Sequence, residues 1–239
     1  MGGAVSRLAA AMMQLASLSI ILPVLNEAAQ IEQVLRMLAT VRSQGAEVIL
    51  VDGGSSDDTV RLAAPHVDQL LISERGRACQ MNAGAAAARG DVLLFLHADT
   101  LLPEEAFEML IEGLHRTQKA WGRFDVRIAG RAFMFPIIAA MMNLRSRLTG
   151  IATGDQAIFV CRADFDAVGG FPEQELMEDI ELSRGLKRRS APLCLSGPAV
   201  TSGRRWETHG VWRTILLMWQ LRLLYWLGTP AKELAARYR

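Results

Sequence analysis

Three acidic residues stand at equivalent places in the first half of the chain, and their chemistry is that of a metal and phosphate site. Glu27, Asp52 and Asp99 each follow directly on an apolar run. If these runs are parallel strands, their carboxyl ends meet at the sheet edge where α/β proteins bind ligands. Clustered carboxylates repel one another unless a cation or hydrogen-bond donors neutralise them. Such an oxygen-rich set suits Mg²⁺ or Mn²⁺, with substrate phosphates completing the coordination shell.

Other charged residues have the types and positions needed to act on the same ligand. Arg75 and Arg77 precede a predicted helix, where guanidinium and backbone N–H groups both favour phosphate. Glu178 and Asp179 open another predicted helix, and on the residues alone they are ordinary N-terminal helix acids. The acids of the sheet edge could likewise be helix caps. For one acid alone capping is the better interpretation, whereas three acids at one edge favour a site.

Apolar periodicity predicts the elements that position these residues. Buried strands are predicted at 18–24, 47–51, 67–72 and 92–96. Helices are predicted after an N-cap at Asn26, before Pro65, over 78–89 and from Pro103, directly after the fourth strand. Alternating strands and helices predict a parallel sheet with helices on both faces.

The second half of the chain has a different pattern. Residues 121–128 alternate between apolar residues and charged ones, which predicts a half-exposed, antiparallel strand with Arg123, Asp125 and Arg127 on the exposed face. A further strand is predicted at 156–160 and a helix at 177–187. The sheet is therefore expected to be mixed.

Composition narrows the class of protein. The chain has 239 residues, of which 51% are hydrophobic and 21% charged, so it is globular and large enough for one α/β domain. A net charge of +1 gives no bulk field that favours nucleic acid. Three widely spaced cysteines argue against a disulfide framework and predict a reducing, cytoplasmic setting, with peripheral membrane contact left open.

Several segments resemble one known family. Pro23–Glu27, Val51–Thr59 and Leu96–Asp99 resemble the three nucleotide-binding segments of family 2 glycosyltransferases with the GT-A fold. Glu178-Asp179 resembles that family's catalytic Glu-Asp pair, and Arg204-Arg205-Trp206, in a predicted Gly-containing loop, resembles its Arg-x-Trp acceptor motif. The sequences at 154–157 and 201–206 are similar to those of a small bacterial subgroup labelled as arsenosugar-type glycosyltransferases.

The resemblance implies a role for each matching position. The chain would be an inverting glycosyltransferase that moves a sugar from a nucleoside diphosphate sugar to an acceptor hydroxyl, with Asp179 as the general base. Asp99 would hold a divalent cation, Mn²⁺ or Mg²⁺. The donor would be bound by Pro23, Asn26, Glu27, Asp52, Gly53, Asp57, Arg75, Arg77 and Asp99. The acceptor side would include Asp155, Glu178, Arg204, Arg205 and Trp206.

His97 departs from the family pattern. It stands where the family has the first Asp of its Asp-x-Asp motif. Histidine binds Mn²⁺ but is a poor ligand for Mg²⁺. Metal ligation by His97 and a simple hydrogen bond to the backbone are equally compatible with this position. A non-catalytic nucleotide-sugar-binding protein on the same fold is therefore the alternative function.

The C-terminal segment is apolar over 211–227, and we predict that it forms a tail separate from the catalytic domain. We expect an extension at 1–17, a catalytic domain at 18–206 and a helical tail at 207–239 on or near the acceptor side. Trp212, Trp219 and Trp226 are seven residues apart and line one helical stripe. Core packing, a homodimer contact and an interfacial membrane helix remain open. A membrane contact would favour a lipid-linked acceptor.

Overall fold

The apolar runs of the N-terminal half form the parallel part of one mixed sheet. The computed structural model describes residues 17–238. Within that range the strands are β1 (Leu18–Val24), β2 (Glu47–Asp52), β3 (Gln69–Ile72), β4 (Val92–Phe95), β5 (Thr100–Leu101), β6 (Trp121–Ala129), β7 (Phe159–Cys161) and β8 (Leu193–Ser202). Their order is β3-β2-β1-β4-β7-β6-β8-β5, with β1 to β4 parallel and β7 antiparallel to both neighbours. The predicted mixed sheet is confirmed.

Helices cover both faces of this sheet, as expected. In the described part of the chain they are α1 (Ala28–Ser43), α2 (Thr59–Ala63), α3 (Arg77–Ala87), α4 (Ala106–Thr117), α5 (Phe135–Thr149), α6 (Arg162–Ala167), α7 (Glu178–Lys187), α8 (Arg204–His209), α9 (Val211–Trp226) and α10 (Ala231–Tyr238). The apolar positions that predicted α1 are all buried against the sheet: Ile31, Val34, Leu35, Leu38 and Val41. One core cluster includes α1 and α4, and another includes α3 and α7.

Helix α3 lies unusually close to the sheet, and a glycine allows this approach. A Cβ atom on Gly84 would lie 2.5 Å from Ile21 Cγ2 and 3.0 Å from Val51 Cγ2. The helix therefore rests directly on β1 and β2. As a result its first residues, from Arg77 to Gln80, stand at the carboxyl ends of these strands.

Two helix starts differ from the sequence prediction. Asn26 does not cap α1, because its backbone is left-handed (φ 55°) and Glu27 takes the cap position. The Asn26 side chain instead accepts a hydrogen bond from Ser56 N at 2.8 Å. After β4 the chain first forms the short strand β5, and α4 begins only at Ala106. The helix predicted from Pro103 is therefore present, but it begins three residues later and does not follow the fourth strand directly.

The C-terminal half contains one strand, β8, that no local pattern revealed. Strand β8 pairs with β6 in parallel and with β5 in antiparallel orientation, so the antiparallel prediction for β6 holds only towards β7. The strand predicted at 156–160 begins at Phe159, because Gly154–Gln156 is a 3₁₀ turn with a capping box to Thr153. The position and orientation of β8 depend on pairing with strands far away in the sequence, which local patterns do not reveal.

The exposed face predicted for β6 is wrong at Arg123, which is fully buried. Helix α5 covers this face and supplies the partners. Arg123 Nε donates to Ser146 Oγ at 3.1 Å, and Nη2 donates to the Asn143 carbonyl oxygen at 3.2 Å. Its Nη1 pairs with Asp125, which also binds Arg147. A buried guanidinium is tolerated because its donors are satisfied.

Candidate active site

A cavity of about 300 Å³ opens at the carboxyl ends of β1 and β4, beside the start of α3. This is the sheet edge at which the sequence analysis placed the donor. Parallel strands end there, and the start of α3 lines the opening with Arg77, next to Arg75 and Gly76. Its walls contain Pro23, Val24, Leu25, Glu27, Arg75, Gly76, Arg77, Gln80, His97, Ala98 and Asp99.

Gln80 is a residue of this cavity that sequence reasoning missed. Its Nε2 donates to the carbonyl oxygens of Val24 and Val51, at 2.8 Å each. It therefore joins the ends of β1 and β2 behind the cavity. The sequence offers only a weak signal for it, because the same alanine-rich helix also carries Asn82 and burial becomes visible only in the structure.

Four of the predicted donor residues line neither this cavity nor the larger one next to it: Asn26, Asp52, Gly53 and Asp57. They hold two adjoining loops together. Asp52 accepts hydrogen bonds from Gly54 N at 3.0 Å and Ser55 N at 2.9 Å. Asp57 accepts from Ala28 N at 3.1 Å, which ties the loop after β2 to the start of α1. Gly53 packs against Gln80 and so borders the cavity wall.

A second cavity of about 520 Å³ adjoins the first, and the two share Glu27, Arg77, His97 and Asp99. The size of both cavities is in the range of small-molecule sites. Every residue predicted for the acceptor side lines the second cavity, as does Asp179. Its charged walls comprise Glu27, Asp99, Asp155, Glu178, Asp179, Arg77, Arg204, Arg205 and Arg222.

Asp179 lies at the start of α7, after a left-handed residue at Met177. Its Oδ2 accepts a hydrogen bond from Gly154 N at 3.0 Å, and its Oδ1 accepts from Ile180 N at 2.8 Å. Burial and the neighbouring Glu178 carboxylate raise the pKa of Asp179 to about 6. A carboxylate with this pKa is mostly ionised at neutral pH and is still basic enough to accept a proton.

His97 connects the two cavities. Its Nδ1 lies 3.8 Å from Asp155 Oδ1, and its ring packs against the backbone of Gly154. Burial opposes ionisation of Asp155, but the nearby imidazole keeps the pKa of this carboxyl below its ordinary value. Because Gly154 also donates to Asp179, one short turn links His97 with the predicted base.

The cavity wall has the charge pattern that a divalent cation would neutralise. Burial, and then the Asp99 carboxylate, raise the pKa of Glu27 above its ordinary value. Within residues 17–238 no group of three or more His, Cys, Asp or Glu side chains could hold a metal on its own. Asp99 and His97 line both cavities, so they are the side chains that would hold a divalent cation together with phosphate oxygens of a ligand, and a histidine ligand suits Mn²⁺ better than Mg²⁺.

The end of the chain completes the acceptor side of the second cavity. Arg204, Arg205 and Trp206 open helix α8, so the loop predicted for them is wrong, and the predicted domain boundary after 206 falls inside this helix. Arg205 Nη2 donates to the Tyr238 carbonyl oxygen at 2.9 Å, and its guanidinium lies 3.6 Å from the ring centroid of that tyrosine. Helix α10 thus returns to the site. Sequence reasoning missed Tyr238, because no local pattern places it there.

Curated proteins with similar sequences include glycosyltransferases. In curated sequences, a PGL/p-HBAD biosynthesis glycosyltransferase of Mycobacterium bovis is 41% identical over 93 residues, which is 36% of each chain. An undecaprenyl-phosphate 4-deoxy-4-formamido-L-arabinose transferase of Pseudomonas paraeruginosa is 28% identical over 56% of this chain and 51% of its own. The matched regions therefore span about a third to a half of these relatives. The arsenosugar label appears in neither name and stays a prediction.

Solved structures share the fold. S. aureus TarS in complex with UDP-GlcNAc has a TM-score of 0.62 at 18% identity, covering 78% of this chain and 58% of that one. Glucosyl-3-phosphoglycerate synthase from Mycobacterium tuberculosis, bound to Mn²⁺ and UDP, has a TM-score of 0.61 at 20% identity, covering 80% and 74%.

The family model described as Glycosyl transferase family 2 matches residues 19–167, more than half of the 239-residue chain. The match spans β1 to β7 and so contains the loops that surround the donor-side cavity. On this match, and with a fold shared by solved glycosyltransferases, the chain belongs to glycosyl transferase family 2.

Proposed function

We propose that the protein is an inverting glycosyltransferase that moves a sugar from a nucleoside diphosphate sugar to an acceptor hydroxyl. The observation that carries the proposal is that Asp99 and Asp179 line one cavity, which adjoins a smaller cavity at the donor edge of the sheet. Family membership and the UDP-sugar and GDP-mannose complexes of structural neighbours support the donor class.

The donor diphosphate would lie in the smaller cavity, against the start of α3. Arg75 and Arg77 supply positive charge there, and the exposed N–H groups of a helix start favour phosphate oxygens. Asp99 and His97 would hold the divalent cation, which stabilises the negative charge that develops on the leaving diphosphate. The base and ribose would contact the loops that carry Asn26, Asp52, Gly53 and Asp57, next to Glu27.

The acceptor would enter the larger cavity from the side of α8 and α9. There Asp179 takes the proton of the acceptor hydroxyl as its oxygen bonds to the anomeric carbon. The bond from that carbon to the diphosphate oxygen breaks on the opposite face, so the configuration inverts. Arg204, Arg205 and Trp206 would orient the acceptor sugar, because guanidinium and indole groups suit hydroxyl and ring contacts.

The position of Asp179 favours catalysis over the alternative of a protein that only binds nucleotide sugars. Asp179 lines the same cavity as Asp99, and hydrogen bonds from Gly154 N and Ile180 N hold its carboxylate in place. Its raised pKa, about 6, agrees with this role. His97 motivated this alternative, yet its place beside Asp99 leaves it available to the cation.

A lipid-linked acceptor is a second candidate within the same activity. Helix α9 contributes Thr214, Met218 and Leu221 to the wall of the larger cavity, so part of the acceptor side is apolar. The relative from Pseudomonas is named for an undecaprenyl-phosphate substrate. Offering the same sugar donor with water-soluble sugars and with lipid-linked sugars, whose hydroxyl groups are the acceptors in both cases, would separate the two, since transfer to soluble acceptors alone argues against the lipid.

The decisive experiment combines donor binding with transfer. Thermal shifts are measured with UDP, GDP and their sugars, with and without Mn²⁺, since a ligand that binds the native state raises the unfolding temperature. We expect Asp99→Asn to lose the Mn²⁺-dependent part of the shift. We expect Asp179→Asn to keep the donor shift while transfer falls by on the order of a thousandfold.

The matched control is Asp166→Asn, an exposed acid on α6 that lines neither cavity. It should change neither binding nor transfer. Unchanged transfer by a folded Asp179→Asn variant would end the proposed catalytic role. Donor binding by the wild type with no transfer to any acceptor would favour the binding protein.

A further inference from the structure

Helix α9 has two apolar faces, and only one of them is used by the fold. Thr214 and Leu221 are buried, and Leu217, Met218 and Leu224 pack around them. The opposite face carries residues four and three apart in alternation, which form one straight stripe along a helix. These residues are 57% to 73% exposed: Trp212, Leu216, Trp219, Leu223 and Trp226.

Helix α5 carries a second stripe with the same alternation. Large apolar side chains of a helix normally face the core. The members of this stripe are instead 49% to 78% exposed: Ile137, Met141, Leu144 and Leu148. The two helices contribute to one apolar cluster, which contains Ile138 and Met142 of α5 together with Val211 and Ile215 of α9. The two stripes border this cluster, and we call them together the two-helix surface. An exposed apolar patch of this extent indicates an interaction site.

The charge near the two-helix surface is predominantly positive. Segments 126–154 and 208–232 contain no Asp or Glu, and their charged residues are Arg127, Arg131, Arg145, Arg147, Arg213, Arg222 and Lys232. Arg147 is paired with Asp125 and the Arg145 guanidinium is buried, so the exposed arginines include Arg127, Arg131 and Arg213. A second copy of this chain would bring like charges together across such a surface, which is unfavourable. An anionic lipid surface is complementary to it, and tryptophan prefers the headgroup level of a bilayer.

We propose that the two-helix surface docks the protein flat on an anionic lipid bilayer. None of the helices in residues 17–238 is long and apolar enough to cross a membrane, so the helices would lie in the interface. The other face of α9 lines the larger cavity with Thr214, Met218 and Leu221. Docking would therefore hold that cavity one helix diameter, roughly 10 Å, from the lipid. The proposal goes beyond sugar transfer and does not depend on it.

Flotation of the full chain with vesicles tests the docking without any sugar donor. Phosphatidylcholine vesicles are compared with vesicles that contain phosphatidylglycerol, at low and high salt. We expect about tenfold stronger binding to the anionic vesicles, falling as salt screens the arginines. Absence of the wild type from both vesicle fractions would overturn the proposal, and so would equal binding to both compositions.

Variants identify the surface that binds. Trp219→Gln combined with Leu223→Gln should weaken binding at least about tenfold, because both side chains would otherwise leave water. Arg213→Glu should weaken binding to anionic vesicles on the order of tenfold, since it replaces an attraction with a repulsion. The matched control is Ile72→Gln, which removes an apolar side chain that is 77% exposed at the end of β3.

Ile72→Gln should bind like the wild type. Equal loss in this control and in the tryptophan variant would overturn the assignment to α5 and α9. Light scattering on the same samples tests whether a second copy of the chain binds the two-helix surface instead. If the wild type forms a dimer that the double variant Trp219→Gln/Leu223→Gln cannot form, and no vesicle binding is seen, the surface is a dimer interface and the proposal is overturned. Thermal shifts with nucleotide donors report on folding of each variant, and they separate failure of docking from failure of donor binding.

Discussion

The two halves of the molecule place their polar groups differently. We call the part from β1 to β5, with the proposed donor cavity, the donor half, and the part from β6 onwards, with the proposed base, the acceptor half. In the donor half, β1 and β4 are completely buried and almost wholly apolar, and the polar contacts lie in the loops after the strands. In the acceptor half, charge enters the interior. Arg123 on β6 is fully buried with Asp125, and Asp179 is held beside Glu178.

The difference reflects the chemistry proposed for each half. A nucleotide is recognised mainly by loops and backbone groups that a rigid apolar sheet positions. A general base needs an environment that raises its pKa, and burial next to another carboxylate provides this. The acceptor half therefore keeps charged groups close to one another, which makes its stability depend on pH and on individual pairs.

The largest effect that we expect is a loss of catalytic activity at low pH, which tests whether the acceptor half carries the base. If Asp179 is the base, kcat/KM should fall about tenfold for each pH unit below about 6, because the protonated carboxyl cannot accept a proton. The residual activity of Asp179→Asn should lack this dependence. Wild-type rates that stay constant down to pH 4.5 would argue against Asp179 as the base.

The next effect concerns the buried charge of the acceptor half. Arg123→Met should lower the free energy of unfolding by about 3 kcal/mol, because it removes one partner of a buried ion pair and leaves Asp125 with Arg147 alone. Urea unfolding followed by circular dichroism measures this. The exposed Arg127→Met on the same strand is the control and should change stability little. Equal small losses in both variants would show that the buried pair is energetically unimportant.

In the donor half, the sensitive feature is close packing and not charge. Gly84→Ala should cost about 1–3 kcal/mol, because the added methyl would overlap Ile21 Cγ2. Gly185→Ala on α7 is the matched control. Its new methyl would meet Val168 Cβ at an ordinary 3.4 Å, and alanine is the better helix former. The same unfolding assay compares them, and a stable Gly84→Ala variant would contradict the tight contact of α3 with the sheet.

The smallest effect is a pH-dependent change in stability when the proposed base is replaced. The folded-state pKa of Asp179, about 6, lies above the ordinary 3.8, so the native state binds the proton more tightly and wild-type stability falls as pH rises between these values. Asp179→Asn cannot lose this proton, so its stability relative to the wild type should improve by about 1–2 kcal/mol between pH 4 and pH 8. A loss that does not depend on pH is superimposed, because the Asn side chain can accept only one of the hydrogen bonds from Gly154 N and Ile180 N. A stability difference between variant and wild type that stays constant from pH 4 to pH 8 would contradict the raised pKa of Asp179.

The two halves also differ in how much of them could be predicted. The unbroken apolar runs that end at Val24, Asp52 and Phe95 identified the parallel strands, because a strand buried on both faces leaves a continuous signal. Strand β8 escaped notice, since its alternation is interrupted by Gly197 and Pro198 at a bulge in the pairing with β6. The family resemblance identified Asp99 and Asp179, but their shared cavity could not be read from local patterns.

By itself, the sequence determined the donor half: which runs are strands, where acids follow them, and which glycosyltransferase family the chain resembles. Only the tertiary structure decided that Arg123 is buried, that Asp179 has a raised pKa and that Tyr238 returns to the site. The physical reason is the range of the interactions. Strand propensity and turn chemistry act between neighbours in the chain, whereas burial and electrostatic fields depend on residues far apart in sequence that the fold brings together.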